Sequence, residues 1–386
     1  MGSQTITVVA VGDPAVYAYV DRKLGIIDRY ERSRNASVRF DIIPFESYYG
    51  TMMDALEGRR EGDIVMAAGH LWLRDLVGKG HLAPVSWPSD PGWDEADIVP
   101  AIREEMRVDG VCYMYPSFCD GHFVLYRKSA VQEALGRPMP DVVTTDELRE
   151  AAFRCHGVQG MHGIVLKAHP SEILLDVLPY FRQEGVELFD PRTHRPDFNR
   201  EAGVRALEKY LALRDIAPKE TGTFGNDEVR EAFQQKRAAF AVTWGGQLGV
   251  VLDDRCLEPE DVGFCVLRTA WNVTWGFAVN ARSARKELAN DLLGHLASRE
   301  VDRLVGAWCG SPVRRSTYEA DGGKYRWYAA HLDLIERYAK PLPQMKDAGA
   351  RLDALYRALA AAFRDECSPG EALARAERDI LDLMAG

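Results

Sequence analysis

The sequence predicts an α/β protein with a doubly wound parallel sheet and more than one hydrophobic core. Three observations carry this. The first 85 residues alternate apolar, strand-like runs with helical patterns, which is how βαβ units read. The 386 residues exceed what one core holds, since single cores stop growing near ~250–300 residues. Residues 109–126, DGVCYMYPSFCDGHFVLY, form two apolar runs separated by Pro116, Ser117 and the polar trio Asp120, Gly121 and His122. Proline donates no ladder hydrogen bond, so the first run is expected to stop there or lie at an edge. Two readings fit this stretch equally: a crossing between two cores with a carboxylate at the hinge, or one sheet with a kinked strand.

The elements follow in order. Residues 6–11 are nearly continuously apolar, as in a strand covered on both faces. Asp13 then Pro14 read as an N-cap followed by proline in the first turn, opening a helix to about Arg34. Residues 38–44 are the second strand, 47–60 a helix and 63–67 the third strand. Residues 72–79 are helical, with Gly80 ending them. Ligands of such sheets bind beyond the carboxyl ends of the strands. That rule puts loops 12–17, 45–49 and 68–72 at one mouth. Residues 123–126 are a short buried strand before a helix starting at 127–130. Thr144 to Glu147 is a capping box for a helix ending at Cys155. Strand 163–167, the apolar helix 173–183 and a hairpin or strand pair over 187–198 come next. Asn199 is read as the cap of a helix to Leu213. Residues 238–243 form another buried strand, ending at Trp244, Gly245 and Gly246. Residues 275–280 read as a strand crossing back, and 286–298 as a helix. From about Tyr325 the chain is helical, broken at 340–343. Ser368 to Glu371 is a second capping box.

Composition excludes several functions. The formal charge is −10, from 58 acidic and 48 basic residues. A nucleic-acid partner needs a concentrated basic face, and no basic run exceeds Arg59-Arg60 or Arg314-Arg315. No stretch approaches the ~20 apolar residues of a membrane span. There is no GxSxG elbow, P-loop, HExxH or GxGxxG after a strand. Cys155, His156, His162 and His169 are spaced like no recognised metal site, so no metal is expected. The seven cysteines lack CxxC spacing and lie in apolar contexts, as buried free thiols do. Met1-Gly2-Ser3 leads straight into the first strand. This fits a cytoplasmic chain, or a mature chain with its signal removed and a cloning remnant in its place.

Tryptophans stand at predicted loop tips beside glycines: Trp72 after Gly69 and His70, Trp244 before Gly245 and Gly246, Trp271 and Trp275 around 272–274, and Trp308 before Gly310. An indole covers the apolar C–H face of a sugar, and polar side chains satisfy its hydroxyl rim. Core packing explains Trp72 and Trp308 equally well. The glycines beside Trp244 favour a cleft, while Trp275 fits either the cleft or the core of the returning strand.

DGVCYMYP followed by LYRKSAV resembles the crossover of the family 1 extracellular solute-binding proteins, the maltose-binding-protein-like receptors of ABC importers. Further similarities follow in order: GDIVMAAGHLWLRDLVGKGHLAPV (62–85), the helix start at 140–151, PDFNREAGVRALEKYLAL (196–213), AFQQKRAAFAVTWGG (232–246), KELANDLLGHLAS and SPGEALARAERDIL. Arg127, where an asparagine is usual, and the cysteines depart from the pattern. The resemblance implies a two-lobed periplasmic-binding-protein fold of type II, each lobe a doubly wound sheet flanked by helices, with the ligand cleft between them. Lobe one would be 1–118 plus 276–322, and lobe two 119–275 plus 323–386. Hinges would lie near 117–120, 268–275 and 322–325. The implied function is an extracytoplasmic receptor that binds a mono- or oligosaccharide or related polyol and delivers it to an ABC permease. The resemblance further implies a monomer, periplasmic or extracellular with a lipoprotein form open, catalysing nothing and needing no cofactor. The alternatives are a receptor for a charged solute (a sugar acid or polyamine) and, behind it, a carbohydrate-active enzyme. Carried over by motif, Asp13 and Tyr17 follow strand one, where relatives contact sugar. Tyr48 lies in the second loop, where a core role fits equally. His70 stands where relatives often place an acid, and Asp120 at the crossover position. Lys167 and His169 face the mouth from lobe two, and Arg314 follows the proline of SPVRR. With Trp72, Trp244, Gly245, Gly246, Trp271 and Trp275 these complete the expected ligand site.

Overall fold

The computed structural model describes residues 4–88 and 93–385; Met1, Gly2 and Ser3, read above either as the start of a cytoplasmic chain or as a cloning remnant, lie outside the described residues. In chain order the strands are β1 (Gln4–Val11), β2 (Ala36–Ile43), β3 (Ile64–Ala68), β4 (Arg107–Val108), β5 (Val111–Cys112), β6 (Tyr115–Arg127), β7 (Val142–Val143), β8 (His162–Val165), β9 (Ala238–Trp244), β10 (Val262–Leu267) and β11 (Asn272–Val279). β1 pairs in parallel with β2 and β3, as the alternation of the first 85 residues predicts. β4 and β5 form a separate hairpin. The helix expected over 14–34 is two, Pro14–Val20 and Ile26–Arg34. The break has a local cause. The Asp21 carboxylate accepts from the backbone N–H groups of Lys23 and Leu24 at 2.8 and 3.0 Å, and Gly25 takes φ +62°, a left-handed conformation that suits glycine.

β6 does not stop at Pro116. It runs for 13 residues, all buried. Opposite β11 the register shifts between Trp275 and Gly276, so that Trp275 faces Phe118 and Gly276 faces Pro116. The bulge absorbs Ser117 and makes room for a residue without an N–H. Both sequence readings therefore hold in part, since one strand serves two sheets. Tyr115 to Gly121 pair with β11, while His122 to Arg127 lie between β9 and β10. β11 also pairs antiparallel with β3. The order is β2-β1-β3-β11-β6-β10-β7, with β8 and β9 joined through β6. Helices Lys286–Leu296 and Arg299–Cys309 pack on the first half. Helices Ala348–Phe363 and Pro369–Ala385 pack on Ile173–Gln183 and Glu201–Leu211 of the second.

Both capping boxes form: Glu147 N–H donates to Thr144 Oγ1 at 3.1 Å, and Glu371 N–H to Ser368 Oγ at 3.3 Å. The hairpin over 187–198 forms in its shortest version, one antiparallel bridge from Phe189 to Pro196, with Asp190 turning the chain by accepting from the N–H groups of Arg192 and Thr193. One expectation fails. Asn199 does not cap. Its amide donates to Glu377 of the last helix at 2.6 Å, and Arg200 takes the cap position. Six cysteines are buried free thiols, and Cys367 is partly exposed. No helix among the described residues is long and apolar enough to cross a membrane.

Arg127 ends β6 fully buried. Its guanidinium donates to the carbonyls of Phe233, Leu257, Gln234 and Glu258 at 2.6, 2.7, 3.2 and 3.3 Å, and lies 4.6 Å over the Phe233 ring. Hydrogen bonds from charged donors contribute about 1.5–3 kcal/mol each, and orphaned buried acceptors are destabilising. Arg127→Met is therefore expected to lose at least ~2 kcal/mol in urea unfolding. A loss below ~0.5 kcal/mol would show that these carbonyls find other partners.

Candidate functional site

At the carboxyl ends of β1 and β3, where β6 changes sheets, lies a cavity of about 140 Å³. The first half supplies Gly12, Asp13, Phe45, His70 and Leu71. The second supplies Ser171, Glu172, Leu175, Asn226, Gln247 and Tyr356, and between them stand Asp120, Trp244, Trp271, Val273 and Trp275. The cavity opens into an outer space of about 580 Å³ that shares Asp13, Glu172, Asn226 and Gln247 and adds Tyr17, His169, Arg230 and Trp308. Six of the expected site residues, Asp13, His70, Asp120, Trp244, Trp271 and Trp275, thus meet at the inner cavity. Tyr17 and His169 lie at the mouth.

The aromatic wall is interlocked. Trp244 and Trp271 meet edge to face at 5.7 Å, and the His70 ring stands edge-on to Trp271 at 4.6 Å. Trp275 stacks on Phe118 at 6.3 Å and meets Phe45 edgewise at 6.5 Å. Lys167 does not line the cavity. Its ammonium rests 4.1 Å over the Trp244 ring.

Three carboxyls face this space. Asp120 Oδ1 accepts from the Gly246 N–H at 2.8 Å. Burial pushes its pKa to about 7, opposed by that N–H and by the Lys167 ammonium. Asp13 caps helix Pro14–Val20 by accepting from Ala15 N–H at 2.9 Å, and burial next to Asp120 holds it well above the usual carboxylate range. Burial also raises Glu172, against Lys167 and the Asn226 N–H. Desolvation lowers His70 to about 3, so its imidazole is neutral. His70 Nδ1, Asn226 Oδ1 and Trp271 Nε1 are buried without a hydrogen-bond partner. Buried polar groups are normally paired; a polyhydroxylated ligand brings both the donors and the acceptors these lack.

Besides Lys167, five expected residues do not contact this space. Tyr48 is a core strut: its hydroxyl is shared between the Val9 and Met66 carbonyls at 3.1 and 2.5 Å and accepts from Met66 N–H at 2.8 Å, tying β1 to β3. Arg314 is fully buried elsewhere, donating to the carbonyls of Ala297 and Asp94, pairing with Asp97 at 3.3 Å and lying 4.5 Å over Trp93. Trp72 packs behind the wall against Tyr48, Tyr49 and Trp275. Gly245 is a glycine because a Cβ would stand 2.2 Å from His331 Nε2, so the helix around His331 fills the approach intended for a ligand. Gly246 spends its N–H on Asp120. Sequence reasoning missed Glu172, Asn226, Gln247 and Tyr356. Gly225 before Asn226 hinted at a helix start; Tyr356, on a generic helical stretch, gave no signal. Of the histidines near Cys155, His156 Nδ1 accepts from Gly163 N–H and His169 bonds Ser171, while His162 Nδ1 is buried without a partner. No group of three or more metal-ligating side chains occurs among the described residues.

With this geometry in hand, comparison with known proteins defines the class. A family model described as bacterial extracellular solute-binding protein matches residues 15–303. The chain belongs to that family, whose members are binding proteins located outside the cytoplasm. Among curated relatives, the mannitol-binding protein of Pseudomonas aeruginosa is 28% identical over 240 residues, covering 59% of this chain and 54% of the relative. A probable amino-acid ABC transporter periplasmic-binding protein of Sinorhizobium fredii is 25% identical over 206 residues, covering 52% and 47%. The chain thus spans about half the length of the curated relatives it matches. Among solved structures, maltose-bound MalE3 of T. maritima superposes with a TM-score of 0.86 at 20% identity, covering 99% of this chain and 100% of that one. A solute-binding protein of Agrobacterium vitis with bound D-mannitol gives 0.86 at 20%, covering 99% of each. These likenesses show the two-lobed fold.

The buried carboxyls make stability fall as pH rises. Unfolded, Asp120 ionises near 3.8; folded, it keeps its proton to about 7. Between these values the native state binds more protons, so stability declines as pH rises through the window and levels above it. Asp176, at about 6, and Glu105, at about 7, act in the same direction. Asp120→Asn is expected to flatten, without abolishing, the fall in melting temperature between pH 5 and 8. An unchanged slope would place the Asp120 pKa in the ordinary range.

Proposed function

We propose that this chain is an extracytoplasmic receptor that closes on one small carbohydrate or polyol and hands it to an ABC permease without transforming it. The observation that carries this is the cavity itself, where three indoles and unpaired polar atoms converge. Its ~140 Å³ lies below the ~300–1,000 Å³ of drug-sized pockets, which favours a single monosaccharide or linear alditol over an oligosaccharide. The mannitol named for one curated relative and one structural neighbour supports the same size class. Location in the periplasm or at the cell surface and a monomeric state complete the reading. Calorimetry with hexitols, pentitols and hexoses is expected to find micromolar or tighter binding, about −8 kcal/mol or better. Trp244→Ala is expected to lose at least ~1 kcal/mol of affinity with the fold retained. Heat only with amino acids, peptides or metals would sink the reading.

We further propose that residues 1–118 with 276–322, and 119–275 with 323–386, move as lobes. Support comes from β6, which changes partners between Gly121 and His122. The adjoining strand β11 is held by Glu105, whose carboxyl accepts from Thr274 N–H at 2.9 Å and Thr274 Oγ–H at 3.1 Å. Bending near 117–120, 268–275 and 322–325 would close the walls on ligand. Small-angle scattering at saturation is expected to give a smaller radius of gyration than the free protein; an unchanged radius would rule the motion out.

A further inference from the structure

We propose that the cavity prefers a polyol or sugar carrying a protonated amine over its neutral counterpart, and rejects sugar acids. The proposal rests on the carbohydrate reading above and adds the ligand's charge to it. Three lining side chains, Asp13, Asp120 and Glu172, carry carboxyls, and no lining side chain carries an ammonium or guanidinium group. The hydrogen bonds these carboxyls accept come from backbone N–H groups, of Ala15, Gly246 and Asn226. Lys167, the nearby cation, lies outside the lining on the Trp244 ring, and its interactions run first to Asp176 and Glu172 and only then to Asp120. Lys167 therefore offsets Asp120 only in part, and the three lining carboxyls outnumber the one buried ammonium, which Asp176 also shares.

The mouth does not repair this. Glu46, Asp227 and Glu228 line it together with two arginines, both engaged. Arg230 pairs with Asp227 at 2.8 Å and donates to Gln247 at 2.7 Å, and Arg255 pairs with Asp253 at 2.5 Å. Burying uncompensated carboxylates is unfavourable. A ligand ammonium compensates these carboxyls on entry, whereas a ligand carboxylate adds a fourth acidic group. The indoles work in the same direction, because their faces attract cations in a desolvated site. Trp271 Nε1, fully buried without a partner, remains to bond a hydroxyl, which is why the ligand is a polyhydroxylated amine and not a bare polyamine.

The test starts by identifying the neutral alditol or hexose that binds most tightly. Its amino-deoxy derivative, the matching sugar acid and putrescine are then titrated into the full chain at pH 7.5. The amine is expected to bind at least ~10-fold more tightly than the neutral compound, and the acid at least ~10-fold more weakly. Asp13→Asn retains a capping side chain and is expected to reduce the amine-to-neutral affinity ratio by about tenfold; Glu172→Gln supplies the same readout if that variant fails to fold. An acid that binds as well as the neutral compound, an amine that gains nothing, or a ratio unmoved in the variants overturns the proposal and leaves the carbohydrate reading standing. Putrescine binding in place of every polyhydroxylated compound overturns both.

Discussion

One strand belongs to two sheets, and the rest of the molecule is arranged around that fact. β6 gives its first half to β11 and its second to β9 and β10, so the three residues at the exchange carry constraints from both sides. Asp120 reaches across to the Gly246 N–H. Gly121 has no room for a side chain, since a Cβ would stand 2.5 Å from Leu334. His122 Nδ1 accepts from Trp271 N–H at 2.9 Å, and its Nε2 bonds the Leu175 carbonyl at 2.7 Å. Only the neutral tautomer protonated on Nε2 makes both bonds, and burial enforces neutrality by lowering the pKa to about 3. The polar trio that interrupts two apolar runs in the sequence is thus a joint that sets the backbone of Trp271 and the carboxyl of Asp120 against one cavity.

The same joint explains why the site can hold charge. An isolated carboxylate in an apolar interior would simply neutralise. Asp120 remains near the ionisation midpoint at neutral pH because a backbone N–H and a cation resting on an indole partly replace water. Lys167 is itself held by its surroundings: its backbone N–H donates to Asp176 Oδ2 at 2.9 Å, and burial lowers its ammonium pKa. Trp244 thus carries the ammonium on its ring while belonging to the cavity wall. A single indole shapes the cavity and positions the nearest positive charge.

What the sequence made legible follows from the range of each interaction. Local signals read well: Asp13 caps its helix, both capping boxes form, and β1 to β3 fall where the apolar runs predict. Loops at the carboxyl ends of those strands led directly to Asp13, His70 and the mouth. Errors arose where a distant partner decides. Tyr48 resembles a loop aromatic until its hydroxyl is seen bracing β1 and β3. Gly245 resembles a ligand approach until His331, 86 positions later, fills it. Glu172, Asn226 and Tyr356 reach the cavity only because helices far apart in sequence pack together. No periodicity encodes such a meeting.

The seven cysteines become intelligible in the same physical terms. Exposed thiols outside the cytoplasm invite oxidation, and the reactive form is the thiolate. Six of the seven are buried. Burial pushes Cys112 and Cys155 up to about 11 and raises Cys119, Cys256, Cys265 and Cys309 as well. Cys119 sits on β6 one residue before Asp120, and its backbone is clamped by Ser311, whose Oγ accepts from the Cys119 N–H at 3.1 Å and donates to the Cys119 carbonyl at 2.5 Å. A thiol that is protonated, desolvated and locked at a joint behaves as a small apolar side chain. Such residues stabilise the core without demanding a disulfide, so their number does not conflict with a family that works outside the cytoplasm.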